Sequence, residues 1–176
     1  MTLPTPPCRL VVACVAVLAG IAAFQVHAGQ VTTTFRVMLE VATVCTVEKG
    51  ADVDFGRVVH SSENQALETN GSLVVRCNAT TPYSISLDRG LHGPDTGTRH
   101  MRGPEDESVP YRIYSGAAGN CSAAANVQWG DGSAGTCILS STNTGVSQVI
   151  PVVGRAALNN PRSGLYSDTV TATLTY

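Results

Sequence analysis

Apolar and polar residues alternate with a period of two along most of this chain, and no helical spacing is sustained over ten residues. Val170, Ala172, Leu174 and Tyr176 share one phase, and Thr169, Thr171, Thr173 and Thr175 share the other, the pattern of a half-buried strand. The same alternation puts Leu73, Val75 and Cys77 on one face, then Tyr83, Ile85 and Leu87, then Val109, Tyr111 and Ile113. It predicts strands over 31–47, 53–59, 73–77, 83–87, 109–114, 127–129, 136–139, 146–153 and 165–176. Turn signals separate them: "EKGAD", "ETNGS", "NATTP", "DRGLHGPDTG", "RGPEDESVP", "YSGAAGN", "GDGSAG", "STNTG" and "NNPRSG". Ala117 to Ala125 is Ala-rich, but Gly119 and its shortness make it a loop or one helical turn. Pro151 inside "VIPVVG" marks an edge or bulged strand. Many short strands in one exported domain predict an all-β sandwich or barrel.

The first 28 residues differ in character. Arg9 precedes an apolar run from Leu10 to Phe24, and Val26-His27-Ala28 has the small residues of a cleavage site. This reads as a secretory signal peptide, too short for a stop-transfer anchor. Val11-Val12-Ala13-Cys14 resembles a lipobox, but only four apolar residues would part Arg9 from that cut. The expected mature chain, 176 less 28 residues, is 148 residues long, enough for one domain with a core. Its basic residues number 11 less Arg9, or ten, against 13 acidic ones, a charge of −3. Nucleic acid is therefore not an expected partner.

Cys8 and Cys14 leave with the peptide, and Cys45, Cys77, Cys121 and Cys137 remain. An even count in an exported chain implies two disulfides, for which three connectivities exist. Cys45–Cys77 with Cys121–Cys137 is the expected set, because the first two lie on strand-like segments and the second two flank a Gly-rich excursion. No CxxC pair or Cys/His cluster has zinc spacing, so no metal is expected.

The stretch from Gln30 to Lys49 has no Gly or Pro, and Val31, Thr33, Phe35, Val37, Leu39, Val41, Thr43, Cys45 and Val47 hold one phase. Extended, it would reach roughly 65 Å, whereas a domain of this size is about 40 Å across. Its first part, residues 29–37, is thus read as an arm outside the domain, which occupies 38–176. The strand ending at Tyr176 has no later segment in this sequence to lie beside it. The arm enters the first domain strand without a reversal, so it is expected to fill the gap of another copy by strand addition. Such a head-to-tail contact does not close and builds a fibre.

The residues that carry this reading resemble the spore coat protein U domain family, which includes subunits of archaic chaperone–usher pili. The likeness runs through the alternating arm to "CTV" (Cys45–Val47), "DFG" (Asp54–Gly56), "VVRCNATTPYSISLDRG", "YRIY", "WGDG", "VVGR" and "GLYSDTVTATLTY". It implies an incomplete immunoglobulin-like β-sandwich of pilin type, lacking its final strand and completed by donor-strand complementation. A periplasmic chaperone would supply that strand first and an identical or related pilin subunit later, with an outer-membrane usher secreting the fimbria to the cell surface. Carried onto this sequence, the donor positions are Val31, Thr33, Phe35 and Val37. The acceptor groove is Leu39, Val41, Val170, Ala172, Leu174 and Tyr176. Cys45–Cys77 matches the family's usual bridge, and Cys121–Cys137 is an addition. Adhesion and biofilm formation are the implied roles.

No catalytic residues and no cofactor are expected. His60, His92 and His100 sit in turn-rich contexts without a GxSxG elbow or an HExxH helix. Asp52-x-Asp54 and "GDGSAG" lack the EF-hand order and its closing Glu. Two alternatives stand beside the pilus reading: a monomeric secreted carbohydrate-binding sandwich using Trp129 and Tyr114, and a spore or cell-surface coat protein.

Overall fold

A computed structural model of the chain describes residues 29–59, 64–117 and 121–176; the signal segment and His60 lie outside the described residues. The chain falls into two units, one ending at Leu39 and the other running from Glu40 to Tyr176. Residues 29–39 have no helix or strand, and each of them is exposed.

Within Glu40–Tyr176 the described residues form eight strands: β1 (Cys45–Ala51), β2 (Gln65–Cys77), β3 (Thr80–Leu87), β4 (Arg99–Arg102), β5 (Ser108–Ser115), β6 (Leu139–Thr144), β7 (Gln148–Leu158) and β8 (Ala172–Thr175). They pair antiparallel into a five-stranded sheet, β1-β2-β7-β5-β4, and a three-stranded sheet, β6-β3-β8. Inward positions of both sheets form one core, with Val75, Tyr111, Ile113 and Ile150 from the larger sheet and Tyr83, Ile85, Leu87 and Leu139 from the smaller. This is the all-β sandwich that alternation predicts.

Element boundaries differ from the sequence reading where pairing overrides local signals. The strand expected over 31–47 begins only at Cys45. Alternation gives the earlier residues the capacity to be a strand, but no described strand pairs with them, and Asn78 bonds only Ala42 and Val44. "EKGA" and "ETNGS", read as turns, are strand in β1 and β2. Gly71 serves close approach there, since a Cβ would stand 2.8 Å from the Ala51 carbonyl oxygen and 2.9 Å from Val53. The 53–59 run is not a strand; Val53 and Phe55 pack against the core instead. The 127–129 and 136–139 runs reduce to a Trp129–Cys137 bridge, and β6 takes over most of "STNTG". The last expected strand shortens to Ala172–Thr175.

Pro151 corrects another expectation, because β7 is the middle strand of its sheet and not an edge. The β5 ladder ends at Ser115, opposite Val152, and the Gly116 N–H donates to the Pro151 carbonyl at 2.8 Å. A strand residue's N–H and C=O point to the same flank. The donor that proline lacks would therefore face the flank where β5 has already ended.

The segment before β8 is fastened by carboxylates. The Tyr111 hydroxyl donates to Asp168 at 2.6 Å, and the Leu91 N–H donates to the same carboxylate at 2.9 Å. Asp88 accepts from the N–H groups of Thr171 and Gly90, each at 2.9 Å. The buried Arg99 donates from Nε and Nη2 to the Asp88 carbonyl at 2.8 and 2.7 Å. Upstream, Tyr166 donates to Glu107 at 2.6 Å. Burial opposes the charge of Asp88, but those N–H groups and the Arg99 cation outweigh it and hold its pKa below the ordinary value. Burial, then the bond to Asp168, pushes the Tyr111 phenol well above its usual range. Burial and Glu107 push Tyr166 up to about 12.

These shifts define two flanks of stability. The share from Asp88 is complete above the unfolded aspartate value near 3.9 and is lost as pH falls through the depressed folded value. The share from Tyr166 is complete below an unfolded value near 10 and is lost as pH rises toward about 12. Urea midpoints against pH should fall on both sides, and Asp88→Asn should flatten the acid limb alone. A second test uses Gly154, where a Cβ would stand 2.2 Å from Val53 and 3.2 Å from Phe55. Gly154→Val should cost about 1–3 kcal/mol by overpacking, and an unchanged midpoint would show that the 53–55 segment does not lie there.

Candidate assembly groove

The two flanks of the sandwich are finished differently. On the β5 side, Trp129 and Gly130 bridge the sheets. The Trp129 N–H donates to Ile113 at 2.8 Å, and the Leu87 N–H donates to Gly130 at 3.0 Å. The Trp129 indole N–H donates to the Ile85 carbonyl at 2.8 Å, with the ring fully buried. A Cys121–Cys137 disulfide fastens this closing segment.

On the opposite flank, β1 and β8 come within 8 Å of each other without pairing. β1 bonds only to β2 and β8 only to β3, so among the described residues each keeps one row of backbone groups without a partner. Val170, Ala172 and Leu174 are half-buried against the core, and Val47 of β1 is half-buried against the same core. Tyr176 is 56% exposed. Two bare strand edges thus border an apolar strip. Such an edge accepts an extended segment through main-chain bonds and alternate side chains.

The sequence-predicted residues divide among three places. Val170, Ala172 and Leu174 lie on the core face leading into or along β8, as their alternation requires. Leu39 and Val41 are 87% and 81% exposed and belong to no strand. Val31, Phe35 and Val37 are 96%, 84% and 87% exposed, and Thr33 is exposed as well. Val47 was not singled out for the groove, although its phase with the buried Cys45 is the signal for it.

The start of β1 is held firmly. Cys45 and Cys77 are register partners on β1 and β2 and are joined by a disulfide. Asn78 accepts from the Val44 N–H at 3.0 Å and donates to the Ala42 carbonyl at 3.1 Å. Other candidate chemistry resolves into structure. Trp129 and Tyr114, offered for a sugar face, are 0% and 1% exposed. In "GDGSAG", Asp131 accepts from the Ser133 N–H, the Ser133 hydroxyl and the Thr96 hydroxyl, and these bonds lower its pKa to about 2. Among the described residues no group of three or more His, Cys, Asp or Glu is placed to hold a metal ion.

Known proteins can now be set beside this geometry. No curated protein matches the chain. A complex of the chaperone CsuC with the tip adhesion subunit CsuE, from archaic chaperone-usher Csu pili of Acinetobacter baumannii, is similar with a TM-score of 0.53 at 23% identity, over 77% of this chain and 40% of that one. A chaperone–tip adhesin complex of CFA/I fimbriae is similar with a TM-score of 0.50 at 12% identity, over 74% of this chain and 41% of that one. The chain thus spans about two fifths of the length of each. At such identities the likeness speaks to fold, and the fold is an immunoglobulin-like sandwich. A sequence model of the Spore Coat Protein U domain matches residues 31–173, most of the 176-residue sequence, and the chain belongs to the Spore Coat Protein U domain family.

Proposed function

We propose that the protein is a structural subunit of a surface fimbria that polymerises by inserting its N-terminal arm between β1 and β8 of the next copy. The observation that carries this reading is reciprocal: unpaired edges of β1 and β8 bordering an apolar strip, and an apolar alternating segment without a strand partner. In it, Val31, Thr33, Phe35 and Val37 are the donor residues. The groove is lined by Val170, Ala172, Leu174, Tyr176 and Val47. Each buried apolar donor side chain contributes about 1.5–3 kcal/mol, and each ladder bond about 0.5–1.5 kcal/mol net. Ordering the arm opposes this by about 1–2 kcal/mol per residue, so persistence rests on slow unfolding of the closed sandwich. A periplasmic chaperone covers the flank before assembly, an outer-membrane usher exports the fibre, and the exported polymer serves attachment and biofilm formation at the cell surface. The two similar structures, both chaperone complexes of fimbrial subunits, support these partners.

A mixing experiment tests the reading. Removing residues 30–37 should give a folded subunit that accepts but cannot donate, and Leu174→Arg should give one that donates but cannot accept. Each alone should form no fibre, whereas together they should form dimers and nothing longer on a denaturant-free gel. Fibres from the arm-deleted chain would end the donor role.

A further inference from the structure

The exterior of the five-stranded sheet carries a row in which two cations face each other across a ladder. Register places Glu68 of β2 opposite Arg155 of β7, and Arg155 opposite Arg112 of β5. Two like charges directly across a ladder destabilise a sheet, and the one carboxylate of the row pairs with Arg155 alone. Glu68 accepts from Arg155 Nε at 2.6 Å. Arg155 also lies 5.1 Å over the Tyr114 ring and reaches the Ala123 carbonyl at 3.5 Å. Arg112 is exposed and has no ion-pair or hydrogen-bond partner among the described residues.

These side chains line a depression of about 540 Å³, within the usual range for small-molecule sites. The neighbouring cross-strand pair Ala66–Ala157, together with Pro110, adds small apolar side chains to its lining. Asn126 and Thr98 add polar groups to its wall. β7, which carries Arg155 at the centre of the row, is paired on both sides here, with β2 through Glu68 and with β5 through Arg112. A ligand in the depression lies across the outer face of the sheet and not along a strand edge, so recognition falls to guanidinium, hydroxyl and amide groups of the side chains. Guanidinium groups match the geometry of a carboxylate, and the remaining donors and acceptors suit a ligand dense in hydroxyls.

We propose that this depression binds an acidic saccharide of the uronate class, with its carboxylate held by Arg112 and Arg155. Glu68 then competes with the ligand for Arg155 and tunes the affinity. The site lies on the sheet exterior, away from the bare flank between β1 and β8, and does not depend on how copies assemble.

The test titrates the full mature chain, in the assembly state in which it is secreted, with trigalacturonate, with its methyl ester and with acetate, by calorimetry at low and at 0.5 M salt. Saturable binding of trigalacturonate is expected, absent for the ester and weakened by salt as exposed charge pairs are screened. Arg112→Gln should reduce affinity about tenfold or more, the scale of one charge-assisted bond, without lowering the melting temperature. Glu68→Gln should strengthen binding severalfold. Absence of saturable binding, equal binding of ester and acid, or an unchanged affinity in Arg112→Gln would overturn the proposal. Acetate binding as tightly as the trisaccharide would reduce it to an anion site and reject the saccharide.

Discussion

A β-strand can hydrogen-bond on two sides, and the arrangement turns on an edge strand that does so on one side only. β8 pairs with β3 and leaves its other edge facing β1 across an apolar strip. Backbone polar groups in such a place demand partners, and an exposed edge is a template for another chain. The rest of the domain makes that edge precise. Asp88 and Asp168 fix the approach to β8 through Thr171 and Tyr111. Arg99 ties the end of β3 to β4. The gap therefore belongs to a well-fastened sandwich and not to a loosely ordered end.

The contrast between the flanks gives the gap its meaning. Where Trp129 and Gly130 cross between the sheets, the chain spends a buried indole, a disulfide and three hydrogen bonds on closure. Nothing comparable among the described residues spans β1 and β8. A sandwich able to close one side so thoroughly has the means to close the other. The open side is consistent with an edge kept for a partner strand, and the family to which the chain belongs fits that reading.

Much of this was legible in the sequence. The inward faces of β3 and β5 follow from period two alone, because Tyr83, Ile85 and Leu87, and Val109, Tyr111 and Ile113, are buried as alternation demands. The apolar side of β8 was equally plain. Boundaries were less so, since Gly71 looks like a turn residue until Val53 is seen against it, and Pro151 looks like an edge residue until β5 is seen to stop beside it. β4 carried no signal, being a four-residue strand of mainly polar side chains that exists through its pairing with β5. Val47 was visible only as one more member of a long phase, and its place beside the gap depends on where β1 starts. The Glu68–Arg155–Arg112 row was invisible, because register alone brings together residues from three distant parts of the chain.

The Cys45–Cys77 bridge has a mechanical side. It joins the first residue of β1 to the last residue of β2, so in a polymer of the proposed kind a pull on the residues before β1 would meet a covalent tether at Cys45. Without it, a pull on the arm would peel β1 from β2 one hydrogen-bonded pair after another, since an edge strand has no second neighbour to share the load. With it, the force passes at once to β2 and through β2 to β7, the paired interior of the larger sheet. A filament made of such units would hold under shear until whole sandwiches yield, and its extensibility would depend on the redox state of this one link.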